Sequence, residues 1–154
     1  IMSKIDYIIP KIEVKVDIMV DDETCPNVRE YVLFLDQFSM YRKGKQTVCE
    51  FLNKKKEKEF IPLKKCQSGE VFILKLDDVV FVREQQKISH PKLHQVAFTL
   101  KNNIQLNAGY FNPLPDSQSR VLDYLNQDSP FIMLYHEERR IFVNKNKVIK
   151  VKEQ

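Results

Sequence analysis

The sequence predicts a mainly β fold with short helices (β-rich α+β), arranged as two tandem sheet- or barrel-like modules. Each module reads strand-strand-helix-strand-strand-strand, and an additional strand precedes the first. Three observations predict this. Apolar residues come in short β-branched and aromatic runs bounded by turn residues. Blocks of similar sequence recur in the same order in the two halves. The chain, at 154 residues, suits one ordinary domain or two small ones.

The first element is Ile12-Glu13-Val14-Lys15-Val16-Asp17-Ile18-Met19-Val20. Its alternation places Ile12, Val14, Val16, Ile18 and Val20 on one face of a half-buried strand. Nothing similar precedes the second copy, so this strand reads as additional; the sequence leaves its pairing partner open, and pairing across the modules to join their sheets is one arrangement it allows. Val32-Leu33-Phe34-Leu35 followed by Phe38-Ser39-Met40-Tyr41 then parallels Phe98-Thr99-Leu100 followed by Ile104-Gln105-Leu106.

The strongest match follows. Thr47-Val48-Cys49-Glu50-Phe51-Leu52-Asn53 aligns with Arg120-Val121-Leu122-Asp123-Tyr124-Leu125-Asn126. In both, apolar residues at i, i+3 and i+4 define one face of a short helix, expected over 47–54 and 119–127. Thr47-x-x-Glu50 is a capping-box pattern, in which hydroxyl and carboxylate each accept an orphan backbone N–H. Asn53 and Asn126 stand where each helix ends, and the reading preferred here is a cap in the left-handed conformation rather than a ligand contact.

Phe60-Ile61-Pro62-Leu63 then matches Phe131-Ile132-Met133-Leu134. Val79-Val80-Phe81-Val82-Arg83-Glu84 matches Val148-Ile149-Lys150-Val151-Lys152-Glu153. Asp77-Asp78 and Asn146-Lys147 align ahead of these strands and read as tight turns rather than paired catalytic acids. The second copy inserts a proline-bearing loop, Tyr110 to Asp116. The implied division is a first module at 12–84, a polar linker at 85–92 and a second module at 93–154. Residues 28–84 and 95–153 are expected to superpose. Val48, Phe51, Leu52, Phe60, Leu63, Val80 and Val82 are expected to be core, as are Val121, Tyr124, Leu125, Phe131, Leu134, Ile149 and Val151. Halves of this size are marginal alone, so the modules are expected to bury apolar surface against each other.

The repeated pattern R/T-V-x-[DE]-[FY]-L-N, then F-I-x-L and a closing strand pair, resembles a small bacterial domain of unknown function. The second copy fits better, with Arg120, Asp123, Leu125 and Asn126, whereas the first has Thr47 and Glu50. The resemblance implies a bacterial source and a compact β-rich fold, and it carries no active site to transfer.

Candidate chemistry is sparse. A nucleophile motif such as G-x-S-x-G is missing, and three scattered glycines make no phosphate-cradling loop. Cys25, Cys49 and Cys66 are odd in number and lack C-x-x-C spacing, so neither a disulfide framework nor zinc is expected. Cys49 aligns with Leu122 and reads as a small hydrophobe. His90 and His94, four apart around Pro91, read as solvated linker histidines rather than metal ligands. No metal, no cofactor and no enzymatic activity are expected.

Charge is the informative asymmetry. Residues 40–66 hold Arg42, Lys43, Lys45, Lys54, Lys55, Lys56, Lys58, Lys64 and Lys65 against three glutamates, while the whole chain is only +4. Such a patch attracts anions. The opening Ile1-Met2-Ser3-Lys4 lacks the apolar run of a secretory signal, Met2 reads as the natural start, and no apolar run is long enough to span a bilayer. The sequence thus points to a non-enzymatic protein-interaction or scaffold module of a bacterial cytoplasm, its partner a protein. The alternative is RNA or DNA binding through residues 40–66.

Overall fold

A computed structural model describes residues 11–21, 27–39, 43–54, 59–111 and 121–154. Among these residues, ten antiparallel strands form one sheet, with two short α-helices. The first half comprises β1 (Lys11–Val20), β2 (Val28–Asp36), α1 (Val48–Lys54), β3 (Phe60–Lys65), β4 (Val71–Lys75) and β5 (Val79–Glu84). The second comprises β6 (His94–Leu100), β7 (Ile104–Tyr110), α2 (Val121–Leu125), β8 (Phe131–His136), β9 (Arg139–Asn144) and β10 (Val148–Glu153). Along the sheet the order is β10-β6-β7-β8-β9-β5-β1-β2-β3-β4.

Each half therefore has the same strand order. A hairpin, β1–β2 or β6–β7, leads through a helix into a second hairpin, β3–β4 or β8–β9. One turn of 3₁₀ helix, Leu76–Asp78 or Lys145–Lys147, then sends the fifth strand back beside the first. These turns contain Asp77-Asp78 and Asn146-Lys147, where turn chemistry was expected.

Two expectations about the leading strand are corrected. β1 is not additional: it is the first strand of the first half, paired with β2 and β5, and its counterpart is β6. The upstream parallel is accordingly shifted by one strand, since Val32–Leu35 lies in β2, the counterpart of β7. Phe38 and Ser39 lie beyond β2, and Met40 and Tyr41 are outside the described residues. The sheets are joined instead by β5 and β9, through Phe81↔Val143, Val82↔Phe142 and Arg83↔Ile141.

That junction also divides the core. Val16, Leu33, Leu52, Leu63 and Val82 of the first half cluster with Phe131 and Phe142 of the second. Reciprocally, Met19, Val80 and Phe81 of the first half complete a cluster containing Phe98, Leu134 and Ile141. Each half fills part of the other's interior, which lets two modules of marginal size exclude water together. Polar groups close the seam. The Lys147 ammonium, almost fully buried, lies 2.8 Å from Asp21, and Asn102 donates to the same carboxylate at 2.9 Å. Asn144 Nδ2 donates to the Val79 carbonyl at 3.0 Å. Arg83 lies 3.5 Å from Glu137 and Arg140 lies 3.8 Å from Glu84.

Local rules set the connections. The two-residue turn between β8 and β9 has positive φ at Glu137 and Glu138, the signature of a hairpin turn whose twist matches its strands. Gly109 allows close approach of Leu93, just ahead of β6, because a methyl group there would sit 2.8 Å from Leu93 Cβ.

The expected core is mostly buried, with informative exceptions. Val48, Phe51, Leu52, Leu63, Val80, Val82, Phe131 and Leu134 are buried. Val121, Tyr124, Leu125 and Val151 are only half-buried. Phe60 and Ile149, expected to be core, are exposed. Their counterparts, Phe131 and Val80, are buried because a neighbouring module covers them. Phe60 and Ile149 lie at the two ends of the sheet, beyond which the described residues supply no further strand.

Candidate functional site

The most distinctive surface is the β3–β4 end. β4 reads Val71-Phe72-Ile73-Leu74-Lys75, four apolar residues in succession, and forms a hairpin with β3 through a turn in which Gly69 has φ +71°. The pairs Phe60↔Lys75, Pro62↔Ile73 and Lys64↔Val71 put these residues on one face. On that face Phe60, Pro62, Val71 and Ile73 are all exposed, while Ile61 and Leu63 point into the core. Among the described residues no strand pairs with the outer edge of β4. Soluble proteins ordinarily blunt such edges with charge, proline or a covering element. Here charge occurs only at the margins, as Glu70 and Lys75.

The opposite end is formed by β10 and α2. Ile149 and Leu122 are exposed, and Lys150 and Lys152 lie along β10. α2 has no buried residue, whereas α1 buries Val48, Phe51 and Leu52.

Among the described residues the basic positions fall on three successive segments of the chain. Arg42, Lys55, Lys56 and Lys58 lie outside the described residues. Lys43 and Lys45 are on the connection before α1, Lys54 is in the last turn of α1, and Lys64 and Lys65 are on β3. Lys64 Nζ lies 2.8 Å from the Glu13 carboxylate, and Lys65 Nζ lies 4.7 Å above the Phe72 ring. Lys64 and Lys65 are thus engaged within the protein.

Helix-end residues behave differently from one another. The Glu50 N–H donates to Thr47 Oγ1 at 3.1 Å, an N-cap contact. Asn53 is the penultimate residue of α1 and has no left-handed backbone, which occurs among described non-glycine residues only at Asn102, Asn103, Glu137 and Glu138. That corrects the physical basis for both asparagine caps. The Asn53 side-chain carbonyl instead accepts the Phe131 N–H at 3.0 Å, tying α1 to β8 of the other half. Sequence reasoning missed this role because it spans 78 positions. Asn126 is exposed.

The remaining reactive groups are subdued. Burial pushes the Cys49 thiol above its usual pKa, and Cys66 moves the same way for the same first reason. Both changes reduce the thiolate fraction on which nucleophilicity depends. Cys49 is half-buried, and Cys25 lies outside the described residues. Tyr124, pushed by burial to about 12, donates its hydroxyl to the Met133 carbonyl. Desolvation raises the Glu84 carboxyl, against the opposing pull of Arg140. His90 and His94 pack on different rings, Tyr135 and Tyr110, at centroid distances of 5.4 and 5.2 Å. Among the described residues no group of three or more His, Cys, Asp or Glu is arranged to hold a metal. An open cleft of about 690 Å³ is lined by Asn27, Val28, Arg29, Glu30, Lys65 and Gln67, with no nucleophile-base pair among them. Among the described residues no helix is long and apolar enough to cross a membrane. No family model, curated protein or solved structure matches the chain.

Proposed function

We propose that this chain is a non-enzymatic protein-interaction module of the bacterial cytoplasm, built from a duplicated β-rich unit, and that it binds protein by strand addition at β4. The duplication is supported by the shared strand order of the halves together with their ordered sequence matches. The interaction reading is carried by one observation: an edge strand with apolar residues at four of five positions, whose exposed Val71 and Ile73 share an outer face with Phe60 of β3. An incoming strand gains main-chain hydrogen bonds along such an edge, and alternate side chains contribute specificity. Contiguous exposed apolar surface of this kind marks interaction sites. Nucleic-acid binding through residues 40–66 receives less support, since Lys64 and Lys65 have intramolecular partners.

A photo-crosslinking side chain placed at position 73 in the cells that produce the protein tests this reading. A protein adduct at 73, with none at the exposed control position 128, is expected. Only nucleic-acid adducts, or no adduct, overturns it.

A further inference from the structure

The molecule already contains one example of the contact that its two open ends would make. At the internal junction, the fifth strand and helix of one half (β5 and α1) meet the second hairpin of the other (β8 and β9). Among the described residues no further strand pairs with the same elements at opposite ends of the sheet, with β10 and α2 at one and β3 and β4 at the other. Positions equivalent by register show what covering would do. Phe131 is 3% exposed and its counterpart Phe60 is 63% exposed. Phe142 is 1% exposed and its counterpart Ile73 is 72% exposed. On the other side of the contact, Val80 is 1% exposed and its counterpart Ile149 is 60% exposed. The apolar character needed for the contact is present at both ends, whereas among the described residues no strand lies beyond either end.

Building on the strand-addition reading, we infer that the partner of the β4 edge is a second copy of this chain, joined head to tail through β10 and α2. The internal pairs Phe81↔Val143, Val82↔Phe142 and Arg83↔Ile141 translate into Lys150↔Leu74, Val151↔Ile73 and Lys152↔Phe72 between copies. In this register Lys152 lies diagonally across from Glu70, within reach of a long side chain. Asn126 takes the position from which Asn53 accepts the Phe131 N–H, and so faces the Phe60 N–H of the neighbouring copy. Leu122 and the half-buried apolar face of α2 then cover Phe60, as α1 packs on β8. Lys150 stands where the internal junction has Phe81. Its stem covers Leu74 while its ammonium reaches solvent, so the intermolecular contact is weaker than the internal one and depends on concentration. The contact is heterologous: each copy uses one surface and leaves the other free, so assembly continues as a filament or closes as a ring.

Sedimentation velocity on the full chain tests this, using Ile73→Lys to block one end and Ile149→Glu to block the other. Both positions are exposed, so both variants are expected to fold, as circular dichroism will show. Phe60→Ser and Leu122→Ser provide a second, milder pair. Wild type is expected to grow past the mass of two chains as concentration rises, and each variant alone to stay at one chain. A 1:1 mixture of the variants should double in mass and stop there, because each supplies the surface the other lacks. Wild type remaining at one chain at every concentration overturns the inference. So does association that Ile73→Lys abolishes, Ile149→Glu leaves intact and mixing does not restore, because that pattern indicates a symmetric β4-to-β4 contact. An adduct at position 73 to a different protein, with wild type at one chain, removes the second copy as partner but leaves the interaction reading standing.

Discussion

Replacing Phe142 by Ala separates a shared core from two adjoining ones. Phe142 belongs to β9, in the second half of the chain, yet its ring lies with Val16, Leu52 and Leu63 of the first half. It is 1% exposed. Truncating a buried phenylalanine costs about 3–5 kcal/mol, as lost transfer free energy plus the residual cavity. Total stability of roughly 5–15 kcal/mol makes that a large fraction. At about 2–4 °C per kcal/mol for a chain of this size, the midpoint should fall by roughly 6–20 °C. The control is built into the molecule. Ile73, the counterpart of Phe142 on β4, is exposed, so Ile73→Ala should change stability by no more than about 0.5 kcal/mol. Urea unfolding at low protein concentration measures both, keeping association out of the comparison. Calorimetry adds the second criterion, since interlocked cores should melt in one cooperative transition. A cost below about 1 kcal/mol for Phe142→Ala would refute the reasoning. So would a wild-type profile of two transitions, only the later of which moves.

Two further outcomes follow from the charged groups. The Lys147 hydrogen bond holds the Asp21 carboxyl below its usual range, against the opposing push of burial. A depressed folded-state pKa contributes stability that is present above the unfolded value of ~3.9 and lost as pH falls through the folded one. The stability gap between wild type and Asp21→Asn should therefore be widest near neutrality and close below about pH 4; a gap that persists to about pH 2 contradicts the pairing. For the basic region, a labelled oligonucleotide titrated at low ionic strength should show no binding. Binding that weakens with salt at a log–log slope of about −0.9 per phosphate contact would reinstate the nucleic-acid reading.

The sequence by itself determined the local elements. Alternation defined β1, apolar spacing and Thr47-x-x-Glu50 defined α1, and paired polar residues marked the two turns that redirect the chain into β5 and β10. These are short-range preferences, set within a few residues by backbone sterics and by which side chains reach their own backbone. Only the tertiary structure decided which strand lies beside which. β1 looked additional because its counterpart β6, with Val96, Phe98 and Leu100 alternating, is equally similar to β2, and the pairing of β5 with β9 leaves no local signature in either strand. The same limit explains the errors in burial. Phe60 and Phe131 open the same motif with the same residue, and Val80 and Ile149 are equally apolar. In each pair one member is buried and the other exposed, because burial depends on what the neighbouring module covers. The apolar residue alone cannot encode this, since its transfer free energy is realised only where a second surface removes it from water.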